Sequence, residues 1–334
     1  MSKIQELPSR RTDSIDYGQL FGRFPWIIEK NLQCIISPDS DGLLCGLFMS
    51  NFLGWKIKGF YDGKIVLIDK EVSAKDCIFL DMDIFRKEIR SVGHHMVLYN
   101  KKRKPPNWDN YANCIQPNNL RDYDKYNDFK LKYPLATIHL LLAIVGQKIK
   151  IEIMDSAICP LLYTDGVFKN LFGYPENCID WLRYLDAINP SNTLHAIFLN
   201  EYYSIHDLML ALEKFFKRIG GISKNKRGND KVRISNSKGE AVNIAENTNG
   251  FIIKEDERKK SETFLSILSE LTGWDYKKSD WLWDGFKLRV LIKKSAKPNN
   301  NNFEKMTGQN PVSWAMTSGS VIEYTLDERN ILLK

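Results

Sequence analysis

The chain has 334 residues, 43% of them hydrophobic and 27% charged, and its 48 Lys and Arg against 41 Asp and Glu give a formal net charge of +7. This composition excludes a wholly disordered chain, and the length is typical of about two domains. No apolar run reaches the ~20 residues of a membrane span, and the N-terminus lacks the apolar stretch of a secretory signal. The six cysteines form no CxxC pair, so we expect buried, reduced thiols, no zinc site and a cytoplasmic protein without membrane contact.

The first half of the chain alternates short apolar strands with helices, after a polar arm over residues 1–20. Strands are predicted at Leu32–Ile36, Ile57–Phe60, Ile65–Ile68, Cys77–Leu80, His95–Tyr99 and Asn113–Ile115. Helices are predicted at Gly42–Phe52, Ile84–Arg90, Leu135–Val145, Glu176–Ala187 and Ile205–Ile219. This alternation, with acidic residues at strand ends, predicts an α/β domain with a mainly parallel sheet over residues 21–190.

The character of the sequence changes after Gly220. Residues 191–250 are expected to supply a helix and a basic linker rich in Lys, Asn, Gly and Ser. A smaller α+β C-terminal domain is expected over residues 251–334. Its predicted elements are a helix at Ser261–Leu271, strands near Phe286–Ile292 and Val321–Thr325, and an all-Asn loop at Asn299–Asn302.

Positive charge is concentrated in three segments of the chain. The first contains Lys101, Lys102, Arg103 and Lys104, and the second runs from Lys214 to Lys238. The third, residues 274–297, interleaves cations such as Lys287 and Arg289 with aromatic residues such as Trp281 and Trp283. Basic side chains neutralise phosphates and aromatic rings stack on bases, so together the segments favour a polyanionic partner, with nucleic acid the first expectation. Each segment alone is equally compatible with a solvated basic surface over buried tryptophans.

Carboxylates and imidazoles follow the ends of the predicted strands and helices. They are Asp39 and Asp41 in a PDSDG turn, Asp81 and Asp83 after CIFL, the pair His94-His95, and Asp165 before a glycine. Each alone has an ordinary explanation, such as a helix cap or a turn. Together they form an oxygen-rich ligand set that suits Mn²⁺ or Mg²⁺. Two such ions ~3.5–4 Å apart can activate a water and stabilise the leaving oxygen of a phosphoryl displacement.

The order of these motifs resembles the DHH phosphoesterase family. The stretch IISPDSDGLLCG is similar to its strand followed by DxDG, CIFLDMD to its second motif, and LLYTDGVF to its fourth. Val-Gly-His-His is similar to its Asp-His-His motif, with Gly93 in place of the Asp. Residues 113–118 and the helix within 133–145 resemble features of the RecJ-like branch. The likeness extends over about residues 30–190.

The resemblance implies roles for individual residues. The metal ligands for two Mn²⁺ or Mg²⁺ ions would be Asp39, Asp41, Asp81, His94 and Asp165. Among these Asp81 would bridge the ions, with Asp83 a less favoured substitute, and His95 would lie beside the scissile phosphate. Ile35 stands where the pyrophosphatase branch has a ligand histidine, which argues against that activity. Because the acid missing at Gly93 could orient an imidazole, its loss could weaken metal binding by ~10–100-fold, and Gly93→Asp is expected to tighten it.

The implied activity is metal-dependent hydrolysis of single-stranded nucleic acid, as in a RecJ-like exonuclease. Two alternatives stay open: a phosphodiesterase for short oligonucleotides or cyclic dinucleotides, and a degenerate member that only binds nucleic acid or a protein partner. A basic groove would favour the polymer, and a closed pocket the small substrate. The C-terminal region lacks the glycine-rich GGGH-type motif of the family, so other residues would bind substrate. The expected nucleic-acid-binding residues are Lys101, Lys102, Arg103, Lys104, Trp281, Trp283, Lys287 and Arg289.

Overall fold

The computed structural model describes residues 12–126, 129–224, 228–328 and 332. Most of the expected polar arm, and residues 225–227 of the second basic segment, therefore lie outside the described residues. The strands are β1 (Gln33–Ile36), β2 (Lys56–Tyr61), β3 (Ile65–Asp69), β4 (Cys77–Leu80), β5 (Arg90–Val92), β6 (Cys114–Ile115), β7 (Ile244–Asn247), β8 (Gly250–Ile253), β9 (Asp284–Val290), β10 (Ile292–Ala296), β11 (Ser313–Ser318) and β12 (Val321–Leu326). The α-helices are α1 (Tyr17–Arg23), α2 (Ser40–Leu53), α3 (Pro117–Leu120), α4 (Thr137–Val145), α5 (Asp155–Tyr163), α6 (Val167–Gly173), α7 (Pro175–Tyr184), α8 (His195–Phe198), α9 (Ile205–Ile222), α10 (Glu255–Thr272) and α11 (Asn300–Gly308).

The larger sheet has nine strands in the described part of the chain, in the order β6-β5-β4-β1-β2-β3-β9-β8-β7. Strands β6, β5, β4, β1 and β2 are parallel, whereas β3, β9, β8 and β7 continue the sheet in antiparallel fashion. The expected α/β architecture with a large, mostly parallel sheet is thus confirmed in its parallel half. Because the carboxyl ends of β1, β4, β5 and β6 meet at one edge, that edge is where a ligand site is expected.

The turn between β1 and α2 determines how the parallel half is built. Strands β1 and β4 are continuous apolar runs, as expected for parallel strands covered on both faces. Asp39 is the N-cap of α2 and accepts a hydrogen bond from the backbone N–H of Gly42 at 3.2 Å. A β-carbon at position 42 would lie 2.1 Å from the carbonyl oxygen of Ser37, so only glycine fits this close approach.

The chain after residue 190 does not form one separate unit. Strands β7, β8 and β9 extend the larger sheet, and β10, β12 and β11 form a second, antiparallel sheet that carries α11. The chain passes from the larger sheet to the smaller one between Val290 and Ile292. The segment expected to be a linker is packed, because Val232 is buried and its N–H donates to the carbonyl oxygen of Pro38 at 2.7 Å.

Three local predictions were wrong. Residues Asn299–Asn302 begin α11, because the Asn299 side chain caps the helix by accepting from the Asn302 N–H at 2.8 Å. Residues Ile84–Arg90 are not helical, and β5 starts at Arg90. The apolar run His95–Tyr99 is a buried loop under the small sheet, so its hydrophobicity reflects tertiary contacts and not a strand of the larger sheet.

The cysteines agree with the sequence: all six are free and buried. The described helices include none that combines the length and the hydrophobicity needed to cross a bilayer.

Trp281 and Trp283 belong to the core, so the prediction that they stack on nucleic-acid bases is wrong. Their exposed fractions are 4% and 3%, and their rings are stacked with centroids 6.5 Å apart. Trp283 also packs on Phe60 at 5.5 Å, and Trp281 lies against Gly46 of α2. Both tryptophans come just before β9 in the chain. Because β9 joins the larger sheet, their side chains are buried in the core beneath that sheet.

We therefore expect Trp283→Ala to lower the free energy of unfolding by about 3–5 kcal/mol, because it removes a large buried ring and leaves a cavity. Urea unfolding followed by circular dichroism measures this loss. Phe172→Ala is the control, since Phe172 is 66% exposed and its removal should cost less than about 1 kcal/mol. Equal losses in the two variants would contradict the core assignment.

Candidate metal centre and cleft

The predicted ligands converge at the carboxyl ends of the parallel strands. Asp39 follows β1, Asp81 follows β4, and the His94-His95 pair follows β5. Asp165 comes from the turn between α5 and α6. Adjacent parallel strands end at the same edge, which brings side chains from distant parts of the sequence into one site.

Four of these residues form a compact group of possible metal ligands. Asp81, His94, His95 and Asp165 each offer one ligand atom, and those atoms all lie within 4.8 Å of one another. His94 Nε2 lies 3.1 Å from Asp165 Oδ2, and His95 Nε2 lies 3.0 Å from Asp81 Oδ1. A mixed set of carboxylates and imidazoles without thiolate is compatible with Mn²⁺.

Two members of this group have unusual backbone conformations. The φ angle is +61° at Asp81 and +50° at Asp165, in the left-handed region that residues other than glycine seldom adopt. Such a conformation costs on the order of 1 kcal/mol and persists only where the surrounding structure holds it. Asp and Asn adopt it more readily than other side chains, and Asn31, Asp122, Asp186, Asn243 and Asn310 share it, so the turns at Asp81 and Asp165 suit their residue type.

Asp39 and Asp41 lie beside the four-residue group. The Asp41 carboxylate accepts hydrogen bonds from the backbone N–H groups of Thr137 at 2.7 Å and Ile138 at 3.0 Å, which joins α2 to the start of α4. Its Oδ2 lies 3.9 Å from His94 Nδ1. Asp39 is only partly buried and lines the cleft described below. A carboxylate has about four acceptor positions, so these contacts leave room for a metal, and the ligand roles of both residues stay predictions.

Thr137 contributes a contact that the sequence did not reveal. Its Oγ1 lies 2.7 Å from Asp81 Oδ1 and 2.7 Å from His94 Nδ1. If the hydroxyl donates to Asp81, it accepts from the Nδ1–H of His94, and Nε2 then presents a lone pair to Asp165. Two facing lone pairs repel each other, and a cation bound by both atoms would remove that repulsion. The donors present therefore fit a metal ion.

Ser37 places its single hydroxyl proton between two carboxylates. Its Oγ lies 2.5 Å from Asp81 Oδ2 and 2.8 Å from Asp39 Oδ1. One proton cannot satisfy both acceptors fully, so this corner also lacks positive charge. Neither Ser37 nor Thr137 stands out in the sequence, because a lone hydroxyl has no pattern that identifies it.

The electrostatics of the site agree with this shortage of positive charge. Burial raises the pKa of Asp39, Asp41 and Asp81, and repulsion from neighbouring carboxylates raises them further. Burial also opposes ionisation of Asp165, but His94 in its protonated form, through its Nε2–H and its charge, lowers the pKa of Asp165 to about 2. Burial lowers the pKa of His94 to about 4, so that at neutral pH its imidazole is in the neutral form that binds metals.

Asp83 orders the backbone of the histidine pair. Its Oδ2 accepts hydrogen bonds from the N–H groups of His95 at 2.8 Å and Met96 at 2.7 Å. Its Oδ1 would lie only 2.7 Å from a β-carbon at position 93, and the backbone of Met82 is equally close at 2.8 Å. Asp83 thus occupies the space that a side chain on residue 93 would need. This position explains the glycine and does not fit Asp83 as a substitute ligand for Asp81.

Two further elements hold the segment that carries the histidines. Asn118, after β6, donates to the carbonyl oxygen of Met96 at 3.0 Å and accepts from the N–H of Tyr133 at 2.7 Å. From the small sheet, the N–H of Met316 donates to the carbonyl oxygen of His95 at 3.2 Å. The small sheet therefore contributes directly to the geometry of the site.

A cleft of about 720 Å³ opens above the metal ligands. Asp39, Asp81 and His95 lie on its floor, and residues 231–237 and the small sheet form two of its walls. The cations that line it are Lys64, Lys231, Arg233 and Lys293. The carboxylates that line it are Asp39, Asp62, Asp81, Asp83 and Glu323, so cations and acids both face the space beside His95.

The expected nucleic-acid-binding cations lie elsewhere. Lys101, Lys102, Arg103 and Lys104 are exposed, outside the lining of the cleft, and Lys101 and Arg103 form ion pairs with Asp122 and Glu304. Lys287 and Arg289 on β9 line a separate cavity of about 20 Å³. Their contribution to binding stays a prediction. The second and third basic segments do reach the cleft, but through Lys231, Arg233 and Lys293, which no local pattern distinguishes from the other cations of these segments.

No family model, curated protein or solved structure matches this chain. The likeness to DHH phosphoesterases accordingly stays an expectation that rests on the order of the motifs in the sequence.

The close approach of Asp83 and Met82 to position 93 predicts that any side chain there lowers stability and disturbs the site. Gly93→Ala should lower the free energy of unfolding by about 1–3 kcal/mol through overpacking, and Gly93→Asp should weaken Mn²⁺ binding and not tighten it. Urea unfolding and calorimetric Mn²⁺ titration measure the two effects. Gly22→Ala is the control, because a β-carbon there meets no atom within 4 Å. A stable Gly93→Asp protein with tighter Mn²⁺ binding would contradict this assignment.

His139 behind the site predicts a pH dependence of stability. Its Nδ1 accepts from the N–H of Ala136, its Nε2 has no hydrogen-bond partner among the described residues, and burial lowers its pKa to about 3. Because the unfolded chain binds this proton near pH 6.5, stability is full above that pH and falls as the pH drops towards 3.

We expect the wild-type protein to lose about 2 kcal/mol more than His139→Gln between pH ~7 and pH ~5. Urea unfolding at the two pH values gives the difference, in which the contributions of other groups cancel. The same loss in both proteins would show that His139 is not buried in its neutral form.

Proposed function

We propose that this chain is a metal-dependent phosphodiesterase of the DHH type that hydrolyses nucleic acid. The observation that carries the proposal is the group Asp81, His94, His95 and Asp165, of which Asp81 and His95 line a cleft that also contains four cations. The group offers oxygen and nitrogen donors for Mn²⁺ or Mg²⁺, and the cleft offers positive charge for the flanking phosphates.

Asp81, His94 and Asp165 would hold the metal, joined by Asp39 and Asp41, whose carboxylates are adjacent. When bound, two such ions lower the pKa of a water molecule and neutralise the charge that develops on the phosphate. The hydrogen bonds from Ser37 and Thr137 to Asp81 orient its carboxylate before any ion arrives, so little reorganisation is needed on binding.

His95 is suited to contact the substrate. Its side chain is 32% exposed, whereas that of His94 is 10% exposed, and only His95 lines the cleft. Its Nε2 lies 3.0 Å from Asp81 Oδ1, which holds the imidazole at the cleft, where the ring can contact a phosphoryl oxygen. Lys64, Lys231, Arg233 and Lys293 would bind the phosphates on either side.

A protein that only binds nucleic acid or a protein partner would have no need for two buried carboxylates close to each other. Asp41 and Asp81 are fully buried within reach of each other, and such a pair is costly without a cation. The order supplied by Asp83 also offsets the missing acid at Gly93, which, with the altered C-terminal region, favoured a degenerate member.

We expect Mn²⁺-dependent degradation of a 5′-labelled single strand, and Asp81→Asn to slow it by about 100-fold or more, because it removes the central ligand charge. The rate is measured on denaturing gels with Mn²⁺ and with EDTA. Circular dichroism melting checks that the variant is folded.

Asp275→Asn is the matched control, since Asp275 is exposed and lies outside the cleft lining. Near-normal activity in Asp81→Asn would overturn the assignment of Asp81. A wild-type protein that binds Mn²⁺ in calorimetry but hydrolyses no single strand would overturn the proposed function.

A further inference from the structure

A second cavity of about 430 Å³ continues from the active-site cleft towards the protein surface. Lys64, Ser237, Lys293 and Glu323 line both spaces, so the second cavity begins where the cleft ends. Beyond these shared residues its walls are the loop around Lys238 and the exposed edge strand β10. We name this second cavity the outer channel.

The lining of the outer channel is strongly basic. Its lysines are Lys64, Lys238, Lys293 and Lys294, and its one carboxylate is Glu323. Glu323 pairs with Lys293 at 2.8 Å, and Lys64 donates to the carbonyl oxygen of Asn236 at 2.7 Å. Lys238 and Lys294 are exposed, and the nearest carboxylate to Lys294 in an ion pair is Glu328, at 3.8 Å. The two outer lysines therefore have charge to offer to an anion.

Apolar side chains lie beside these cations. Val290 is 55% exposed and Ile292 is 42% exposed, and both line the outer channel. Unpaired bases expose apolar ring faces that can pack against such surface, whereas the bases of a duplex are stacked and paired inside it. Exposed apolar residues next to Lys293 and Lys294 thus match an unpaired strand better than a duplex.

We propose that the outer channel is the binding track for the part of a single-stranded nucleic acid that extends beyond the cleaved phosphate, with Lys238 and Lys294 as phosphate contacts. This inference rests on the proposed phosphodiesterase function and adds that the substrate is a linear strand longer than the cleft. A cyclic dinucleotide has no such extension.

The test is binding without hydrolysis. Affinity of a fluorescein-labelled single strand of about 12 nucleotides is measured by fluorescence anisotropy in EDTA, over a range of salt concentrations. Lys238→Ala/Lys294→Ala should bind about 10-fold more weakly, and the slope of log K against log salt should fall by about 1.4, the value for two lost single-strand phosphate contacts. Lys238→Arg/Lys294→Arg should restore both quantities.

The control is Lys259→Ala/Lys305→Ala, which removes the same charge from exposed positions outside both cavities. If Lys238→Ala/Lys294→Ala has the same affinity and salt slope as this control, the proposed track is overturned. It is also overturned if the wild-type protein binds a duplex of the same length more tightly than the single strand. Because no metal is present, a channel variant that weakens binding supports the track even if the wild-type protein proves inactive in Mn²⁺. Conversely, hydrolysis with unchanged binding in the channel variant would retain the proposed function and reject the track.

Discussion

The buried carboxylate of Asp81 is the interaction on which the rest of the structure depends. It accepts hydrogen bonds from Ser37 after β1 and from Thr137 at the start of α4, and it contacts His95 after β5. An ionised carboxylate with no exposed surface is costly unless every lone pair has a partner, so these three segments must converge on it. Parallel strands ending at one edge allow such convergence, and a cation bound by the proposed ligands would supply the remaining positive charge.

The small sheet is part of this arrangement and not an appendage. Its strand β11 bonds to the backbone of His95, and Val312 accepts from the N–H of Phe85 at 2.7 Å. Trp314, Met316 and Tyr324 share one apolar cluster with residues that follow β4 and β5. The wall of the cleft and the support of the histidine pair are therefore made by the same packing, which leaves little freedom for one to move without the other.

The sequence predicted the parts of the fold that short, continuous patterns encode. Strands β1 and β4 and helix α2 were found because buried parallel strands and an Asp-capped helix have local patterns, and the acids at their ends were found with them. The positions of Trp281, Lys231 and Thr137 depend on which distant elements pack together. No local sequence pattern could therefore predict that Trp281 is buried or that Lys231 and Thr137 lie at the site. The apolar stretch His95–Tyr99 shows the same limit. A loop buried beneath another sheet has the same short hydrophobic run in its sequence as a buried strand.

The hydrogen bond between Met316 and the carbonyl of His95 has a consequence for the order of synthesis. The residues it joins are separated by more than half of the chain, so the histidine pair emerges from the ribosome long before its last support exists. Contacts of such large sequence separation form late, because loop closure precedes any gain from them. A nascent chain thus carries its acids and imidazoles without this backbone support until the small sheet has been synthesised and folded.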